Sequence, residues 1–292
     1  MEIKFLNKLI DYSQRFRHAK YLKIIIVLFL GVILALTITS SLGQLGLAAR
    51  VQPGKLLQLS LISLIFSVLR AIQWNQAALN YGHREALSAS IGTQFRATFV
   101  DLTVFPARIS SDIYRYQTLS GISAPAKLRT VATYRLSTMI PLILVIFYAL
   151  CSEVTTEIWS LFLALLGLSV GLVIYRIFRR YNFFNSSDLI LLAKLAALGV
   201  LALLVDLFRS YLLISTFTVM PFAEYATKHL IAQGIGALSG LPLGIGAKDL
   251  SLIYFFKSIL TSPQVGAFIA VQRLTGELLG AFLGFLLSLK HK

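Results

Sequence analysis

The sequence predicts an all-α polytopic membrane protein, and three observations carry that prediction. Of the 292 residues, 57% are hydrophobic and only 13% are charged, whereas soluble domains average about 45–50% apolar and about 25% charged. The mean hydropathy is +0.78. Apolar runs long enough to span a bilayer recur along the chain. We expect about six full spanning helices plus two re-entrant helical hairpins, arranged as an inverted 3+3 repeat.

The net charge of +15 has a membrane explanation. The basic residues cluster between apolar segments, which favours positive-inside topology and contact with anionic lipid over nucleic-acid binding. The single Cys151 excludes an intramolecular disulfide and a cysteine-rich metal site, and the four histidines are scattered along the chain. We therefore expect no metal and no cofactor.

The first half is predicted to hold three spans and one hairpin. Residues 1–23 form a basic cytoplasmic arm. Ile24–Gly43 is the first span; a signal peptide is the alternative, but the run is too long and shows no small-residue cleavage site. Leu56–Leu79 and Val131–Leu150 are the next spans. Between them, residues 86–127 begin and end beside basic turns, so they are expected to enter and leave on the cytoplasmic side, with a tip near Asp101 to Pro106.

The second half repeats this order with opposite orientation. Ile158–Ile177, Leu189–Thr218 and Val265–Leu289 are predicted to span, and residues 229–263 to form a hairpin that enters from outside. Residues 151–157 contain Glu but no Lys or Arg and are expected outside. Residues 24–292 thus form one transmembrane domain with pseudo-repeats 24–150 and 158–289, and both termini are expected in the cytoplasm.

A helix break is expected within Leu238–Asp249, where Pro242, Gly244 and Gly246 interrupt an apolar region just before Lys248. Broken helices at membrane depth are tolerated where protein or a water-filled cavity covers them. Transporter substrate sites are commonly built from such half-helices. The alternative is a short polar loop between two spanning helices.

Short motifs support the two-unit arrangement. Pro106 and Pro242 interrupt the two hairpins, and each is followed by charges of both signs. At a similar distance beyond each proline, the chain reads Arg-Leu-Ser from Arg135 and Arg-Leu-Thr from Arg273. Inverted repeats of this kind are typical of secondary transporters, whose substrate sites lie at the repeat interface.

Charged residues inside apolar runs are the candidate substrate ligands, because a charge there is costly and is expected to face a cavity or a partner. Asp206 and Arg209 share a helix face, so they form either a structural pair or a phosphate site. Arg70 either pairs with Asp101 or Asp112 or binds a lipid phosphate.

Of the later basic residues, Arg273 can pair with Glu277 four positions on, whereas Arg135 has no acid at helical spacing. The predicted substrate-binding residues are Arg70, Arg108, Asp112, Arg135, Asp206, Arg209, Gly244, Gly246, Lys248, Asp249 and Arg273.

Catalytic motifs are missing from the sequence: it has no Gly-x-Ser-x-Gly, no P-loop and no dinucleotide-binding fingerprint. We therefore expect a transporter and not an enzyme, and the mostly basic charges in and beside the apolar runs favour an anionic substrate such as a lipid phosphate. Two alternatives remain. One is an integral membrane transferase with Asp101, Asp112 or Asp249 as general base. The other is an accessory subunit of a lipid or glycan synthesis machinery, with a glycosyltransferase or lipid synthase as partner.

The chain resembles the lysylphosphatidylglycerol synthase transmembrane region, also called the flippase-like family, over nearly its whole length. That family has a late Pro-x-Gly-x-Gly-x-Arg-Glu signature, which here runs from Pro242 to Asp249 with Lys248 and Asp249 in the charged positions. The earlier family motif Pro-Gly/Ala-Arg-x-Gly-Asp/Glu-x-x-Arg is similar to Pro106–Arg115, which lacks the glycine and is one residue longer. Asp206–Arg209 and Arg273 resemble two further polar positions of the family.

The resemblance implies transport or flipping of lipids or lipid-linked sugars. It also implies a multi-pass protein of the inner or plasma membrane of a bacterium or archaeon. In that family the transmembrane region sometimes accompanies a separate synthase domain. The last predicted span is followed directly by Lys290–Lys292, so lysyl transfer is not expected from this chain.

Overall fold

In the computed structural model, the described residues are 51–103, 109–153, 186–238 and 246–289. Every regular element in these ranges is a helix. The helices are α1 (Pro53–Asn80), α2 (Leu87–Thr103), α3 (Ile109–Thr118), α4 (Ala124–Glu153), α5 (Ser186–Ile214), α6 (Phe222–Leu238), α7 (Ala247–Phe256), α8 (Ser262–Arg273) and α9 (Leu279–Leu289). A π-helical turn, Leu274–Leu278, joins α8 to α9, so that Ser262–Leu289 is one continuous rod of helix.

Three of these helices are long and apolar enough to cross a membrane: Pro53–Asn80, Ser187–Ile214 and Ser262–Leu289. They coincide with the predicted spans Leu56–Leu79, Leu189–Thr218 and Val265–Leu289, which indicates a helical membrane protein. The predicted spans Ile24–Gly43 and Ile158–Ile177 lie outside the described residues.

Local signals set the limits of α1. Pro53 occupies the first turn, where its missing N–H costs nothing. At the other end Gly82 has φ +89°, a conformation that glycine adopts readily. The His83 and Tyr81 N–H groups both donate to the carbonyl of Ala78, at 3.0 and 3.2 Å, which satisfies a carbonyl left open at the helix end.

Two segment limits differ from the sequence-based expectation. α6 begins at Phe222, not near His229, because Pro221 starts the helix and Glu224 and Lys228 pair across its first turns at 2.6 Å. α5 ends at Ile214, four residues before the predicted limit of Thr218. The N–H groups of Thr216 and Phe217 donate to carbonyls three residues back, forming a tight turn that closes the helix.

The prolines of the two predicted breaks, Pro106 and Pro242, lie outside the described residues, between α2 and α3 and between α6 and α7. After the second of these gaps, Gly246 has φ +87° immediately before α7. Its N–H donates to the carboxylate of Asp249 at 3.0 Å, so the first turn of α7 is capped by its own third residue.

α1 and α5 run antiparallel, and two apolar cores lie near their opposite ends. The first core joins the start of α1 to the end of α5 and to α6, α7 and α8, through residues that include Leu59, Leu213, Tyr225, Phe256 and Phe268. The second joins the end of α1 to the start of α5 and to α4, through Trp74, Ala77, Ala78, Leu119, Tyr134 and Leu195. The middle thirds of α1 and α5 therefore lie between the two cores.

Candidate functional site

A polar cavity of about 270 Å³ is lined on α1 by residues between Ser63 and Arg70 and on α5 by residues between Leu203 and Arg209. Its wall is built from α1, α2, α4, α5, α6, α7 and the π-helical turn with the start of α9. The charged side chains in the described wall are Arg70, Asp101, Asp206, Arg209, Lys248 and Glu277. A larger cleft of about 440 Å³ along α1 is lined by Leu61, Leu64, Ile65, Val68 and Leu69, and it offers no charged group. Of the two, only the smaller polar cavity therefore has charged side chains that could bind a polar ligand.

Asp206 and Arg209 form the pair that their spacing predicted. Arg209 Nη2 donates to Asp206 Oδ1 at 2.8 Å and Nε donates to the same oxygen at 3.2 Å. The other carboxylate oxygen accepts from Gln233 Nε2 at 2.7 Å. Arg209 Nη1 also donates to the Gln272 carbonyl at 3.2 Å. Arg209 is therefore held on several sides, which favours the structural pair over a free phosphate ligand.

Gly276 is what makes room for this arrangement. A Cβ added at Gly276 would collide with the Arg209 guanidinium, whose Cζ would lie only 3.0 Å away. The π-helical turn carries Gly276 on one side of Arg209 and Glu277 into the cavity wall. Single π-helical turns within α-helices are frequent at functional sites.

Arg70 keeps more donors open than Arg209. Its Nη1 donates to Gln73 Oε1 at 2.9 Å, and its guanidinium lies 5.3 Å from the Phe66 ring centre. Gln73 in turn donates to the Leu195 carbonyl at 2.7 Å, which anchors it on α5. The proposed salt bridge of Arg70 to an aspartate is not found among the described residues. Arg70 is the cavity cation most available to a bound anion.

The sequence order predicts that Asp249 neutralises the neighbouring Lys248, but this prediction is wrong because the two do not pair with each other. Asp249 accepts from Arg273 Nη2 with both oxygens at 2.7 Å. Lys248 is buried and faces Glu277, with 3.5 Å between Nζ and Oε1. Adjacent residues of a helix do not face each other, so these two charges reach different partners. Glu277 Oε2 also accepts from Arg273 Nη1 at 2.7 Å, as the four-residue spacing predicted.

Arg135 has an acid partner that sequence spacing did not reveal. Its Nη2 lies 2.6 Å from Asp112 Oδ2, and its Nε donates to the same oxygen at 2.8 Å. Arg115 lies 3.6 Å from the other Asp112 oxygen, and its guanidinium is 4.6 Å from the Tyr134 ring centre. Arg135 has no acid at helical spacing, as expected, but it does have a carboxylate partner. The acid lies on a different helix, 23 positions earlier.

The predicted site residues thus fall into three groups. Those in the cavity wall are Arg70, Asp206, Arg209 and Lys248. Those in the two arginine–aspartate pairs are Asp112, Arg135, Asp249 and Arg273, and Gly246 caps the helix that carries Asp249. Arg108 and Gly244 lie outside the described residues.

Sequence reasoning missed the place of Glu277 and Gln233 in the cavity wall. A signal for the helix that carries Glu277 was present in the sequence. Gly276, Gly280 and Gly284 recur every four residues and mark one closely packed face. The described wall carries three basic and three acidic side chains, so its charges balance instead of being predominantly cationic.

The described residues contain no group of three or more histidine, cysteine or acidic side chains that could hold a metal ion. No protein-family model matches the sequence, and a search of curated proteins gives no match. The similarity to the lysylphosphatidylglycerol synthase transmembrane region remains a prediction, based on the motifs at Pro106–Arg115 and Pro242–Asp249.

Proposed function

We propose that this protein is an integral membrane transporter, a flippase, that moves an anionic lipid or lipid-linked sugar between leaflets. The observation that carries the proposal is the polar cavity among membrane-capable helices, with Arg70, Arg209 and Lys248 in its wall. Ionisable side chains at membrane depth are costly and mark substrate or ion pathways. Basic side chains are also the usual ligands of phosphate groups.

The size of the cavity suits a headgroup and not a whole lipid. A volume of about 270 Å³ corresponds to roughly nine waters at about 30 Å³ each. A phosphate with a small polar group fits that space, and acyl or prenyl tails would stay in the bilayer. Arg70 supplies open donors from one side, and Lys248 supplies an ammonium from the other.

Element order supports an inverted repeat around this cavity. The first unit runs from the long helix α1 through α2 and α3 to the long helix α4. The second runs from the long helix α5 through α6 and α7 to the continuous helix Ser262–Leu289. The second unit thus repeats the element order of the first in the described residues.

Packing supports the opposite orientation of the two units. α1 packs antiparallel on its counterpart α5. α2 of the first unit packs on α9 at the end of the second, and α6 of the second packs on α4 at the end of the first. Reciprocal contacts of this kind are expected around a two-fold axis. Such an axis in the membrane plane relates the halves of inverted-repeat transporters.

The two arginine–aspartate pairs occupy equivalent places in this scheme. Asp112 in the short helix α3 pairs with Arg135 on α4, and Asp249 in the short helix α7 pairs with Arg273 on α8. Each pair fastens a half-helix to the long helix that follows it in the chain. Each unit can then rock as one body against the other and expose the cavity to the two leaflets in turn.

Reconstitution into liposomes tests this function. Purified protein is placed in phosphatidylcholine vesicles containing fluorescent phosphatidylglycerol or a fluorescent lipid-linked sugar, and a membrane-impermeant quencher reports the outer leaflet. We expect faster exchange than in empty liposomes and a large loss of that rate in Arg70→Gln. Lys194→Gln, at an exposed position on α5, should behave like the unaltered protein. If neither probe crosses faster than in empty liposomes, the flippase proposal fails.

A transferase remains the main alternative, because Asp101 lines the cavity. Asp112 and Asp249 are weaker candidates for a general base, since each accepts hydrogen bonds from an arginine and neither lines the cavity. Mass analysis of the lipids after incubation separates the two functions. A covalently changed lipid favours the transferase, and an unchanged lipid in the other leaflet favours the flippase. Co-purification with a glycosyltransferase or lipid synthase would support the accessory-subunit alternative.

A further inference from the structure

The balanced charge of the cavity wall has a consequence for any anionic substrate. Among the described wall residues, three cations face three carboxylates. A headgroup phosphate would add a negative charge to a neutral site surrounded by apolar cores. An uncompensated charge in such a place is expensive. Entry of the headgroup therefore calls for a compensating positive charge.

Of the two wall carboxylates whose contacts are described, Asp206 and Glu277, Glu277 is the better placed to receive that charge as a proton. Asp206 is 14% exposed and is fixed by Arg209 and Gln233. Glu277 is 25% exposed, and its two oxygens are held unequally. Oε2 accepts from Arg273 at 2.7 Å, whereas Oε1 lies 3.5 Å from Lys248 Nζ, at the limit of a hydrogen bond. A proton on Oε1 leaves the Arg273 contact intact.

The charged groups around Glu277 come from each element that faces it. They are Lys248 on α7, Arg273 on its own helix, Asp249 behind that arginine, Arg209 and Asp206 on α5, Arg70 on α1 and Asp101 on α2. Lys248 is the group whose only ion pair among the described residues is with Glu277. Neutralising Glu277 therefore frees the Lys248 ammonium for another anion.

We propose that Glu277 takes up one proton for each anionic headgroup that enters the cavity, which couples transport to the proton gradient. The proton comes from water and adds to Oε1 of Glu277. Lys248 then exchanges its carboxylate partner for a phosphate oxygen, and no covalent bond of the lipid is made or broken. One positive and one negative charge cross together, so the coupled step is electrically neutral. The inference rests on the proposed flippase function.

The experiment uses phosphatidylcholine vesicles with the full chain and fluorescent phosphatidylglycerol as probe, under an imposed pH gradient or an imposed potassium-diffusion potential. In the unaltered protein the probe should accumulate in the leaflet facing the alkaline side, and the membrane potential should have little effect. Glu277→Gln should still move the probe, but the pH gradient should no longer direct it and the potential should. Glu277→Asp, which keeps the carboxylate, should retain the response to pH.

Glu224→Gln is the matched control, because Glu224 is an exposed acid on α6 outside the cavity wall. It should keep the full pH response. A pH-directed response that persists in Glu277→Gln, or that is missing in unaltered protein that moves the probe, overturns the coupling and leaves the flippase function standing. Unaltered protein that moves no probe overturns both.

Discussion

The pair of Asp249 and Arg273 is predicted to be a main link between the second half-helix and the last long helix. Asp249→Asn removes the charge and keeps an oxygen that can accept from the N–H of Gly246. Removing one partner of a buried pair costs about 3–5 kcal/mol. The side chains of Arg273 and Asp249 are 11% and 19% exposed, so we expect a loss near the lower limit, about 3 kcal/mol.

A double-mutant cycle isolates this pair from the contact between Arg273 and Glu277. The cycle compares Asp249→Asn, Arg273→Gln and the double variant by reversible unfolding in mixed micelles of mild detergent and dodecyl sulfate. The expected coupling free energy is about 2 kcal/mol, within the range for directly contacting residues. The same cycle on the surface pair Glu224 and Lys228 should give less than about 1 kcal/mol. Equal coupling in the two cycles would refute a stabilising role for the Asp249–Arg273 pair.

Five further substitutions, at four positions, have defined outcomes. Gly276→Ala should displace the Arg209 guanidinium, which lies against Gly276. We expect the free energy of unfolding to fall by about 1–3 kcal/mol and lipid exchange in the liposome assay to slow. Normal exchange would contradict this. Gly284→Ala should force α9 away from the backbone of Phe95 and lower unfolding stability by a similar amount. Gly280→Ala, whose Cβ would meet only a threonine methyl at 3.4 Å, should be tolerated. Lys248→Gln should abolish exchange while Lys248→Arg keeps much of it, and normal exchange in Lys248→Gln would place the phosphate contact elsewhere.

The long apolar helices were predictable because their signals are local. The span expected at Leu56–Leu79 is the helix Pro53–Asn80, since an apolar run between a proline and a glycine turn sets both limits. The pairs Asp206–Arg209 and Arg273–Glu277 were equally accessible, because residues three and four apart share a helix face.

Contacts between distant segments were not predictable in the same way. The acid that Arg135 meets lies 23 positions earlier and on a different helix, and nothing in the local spacing selects it. The mistaken pairing of Lys248 with Asp249 was avoidable, since neighbouring helical residues point to different faces. The π-helical turn that places Glu277 depends on packing against Arg209 and could not be read from the order of residues.

The central claim is that two units of opposite orientation enclose the cavity, and cysteine accessibility tests it most directly. In a Cys151→Ser background, single substitutions at four exposed positions are labelled in intact cells with a membrane-impermeant maleimide: Arg84→Cys, Ser123→Cys, Val219→Cys and Thr261→Cys. The first two flank the hairpin of the first unit, and the last two flank that of the second. We expect Arg84→Cys and Ser123→Cys both to be protected inside, and Val219→Cys and Thr261→Cys both to be labelled from outside. Labelling of only one member of either pair would make that hairpin a full span and would contradict the inverted repeat.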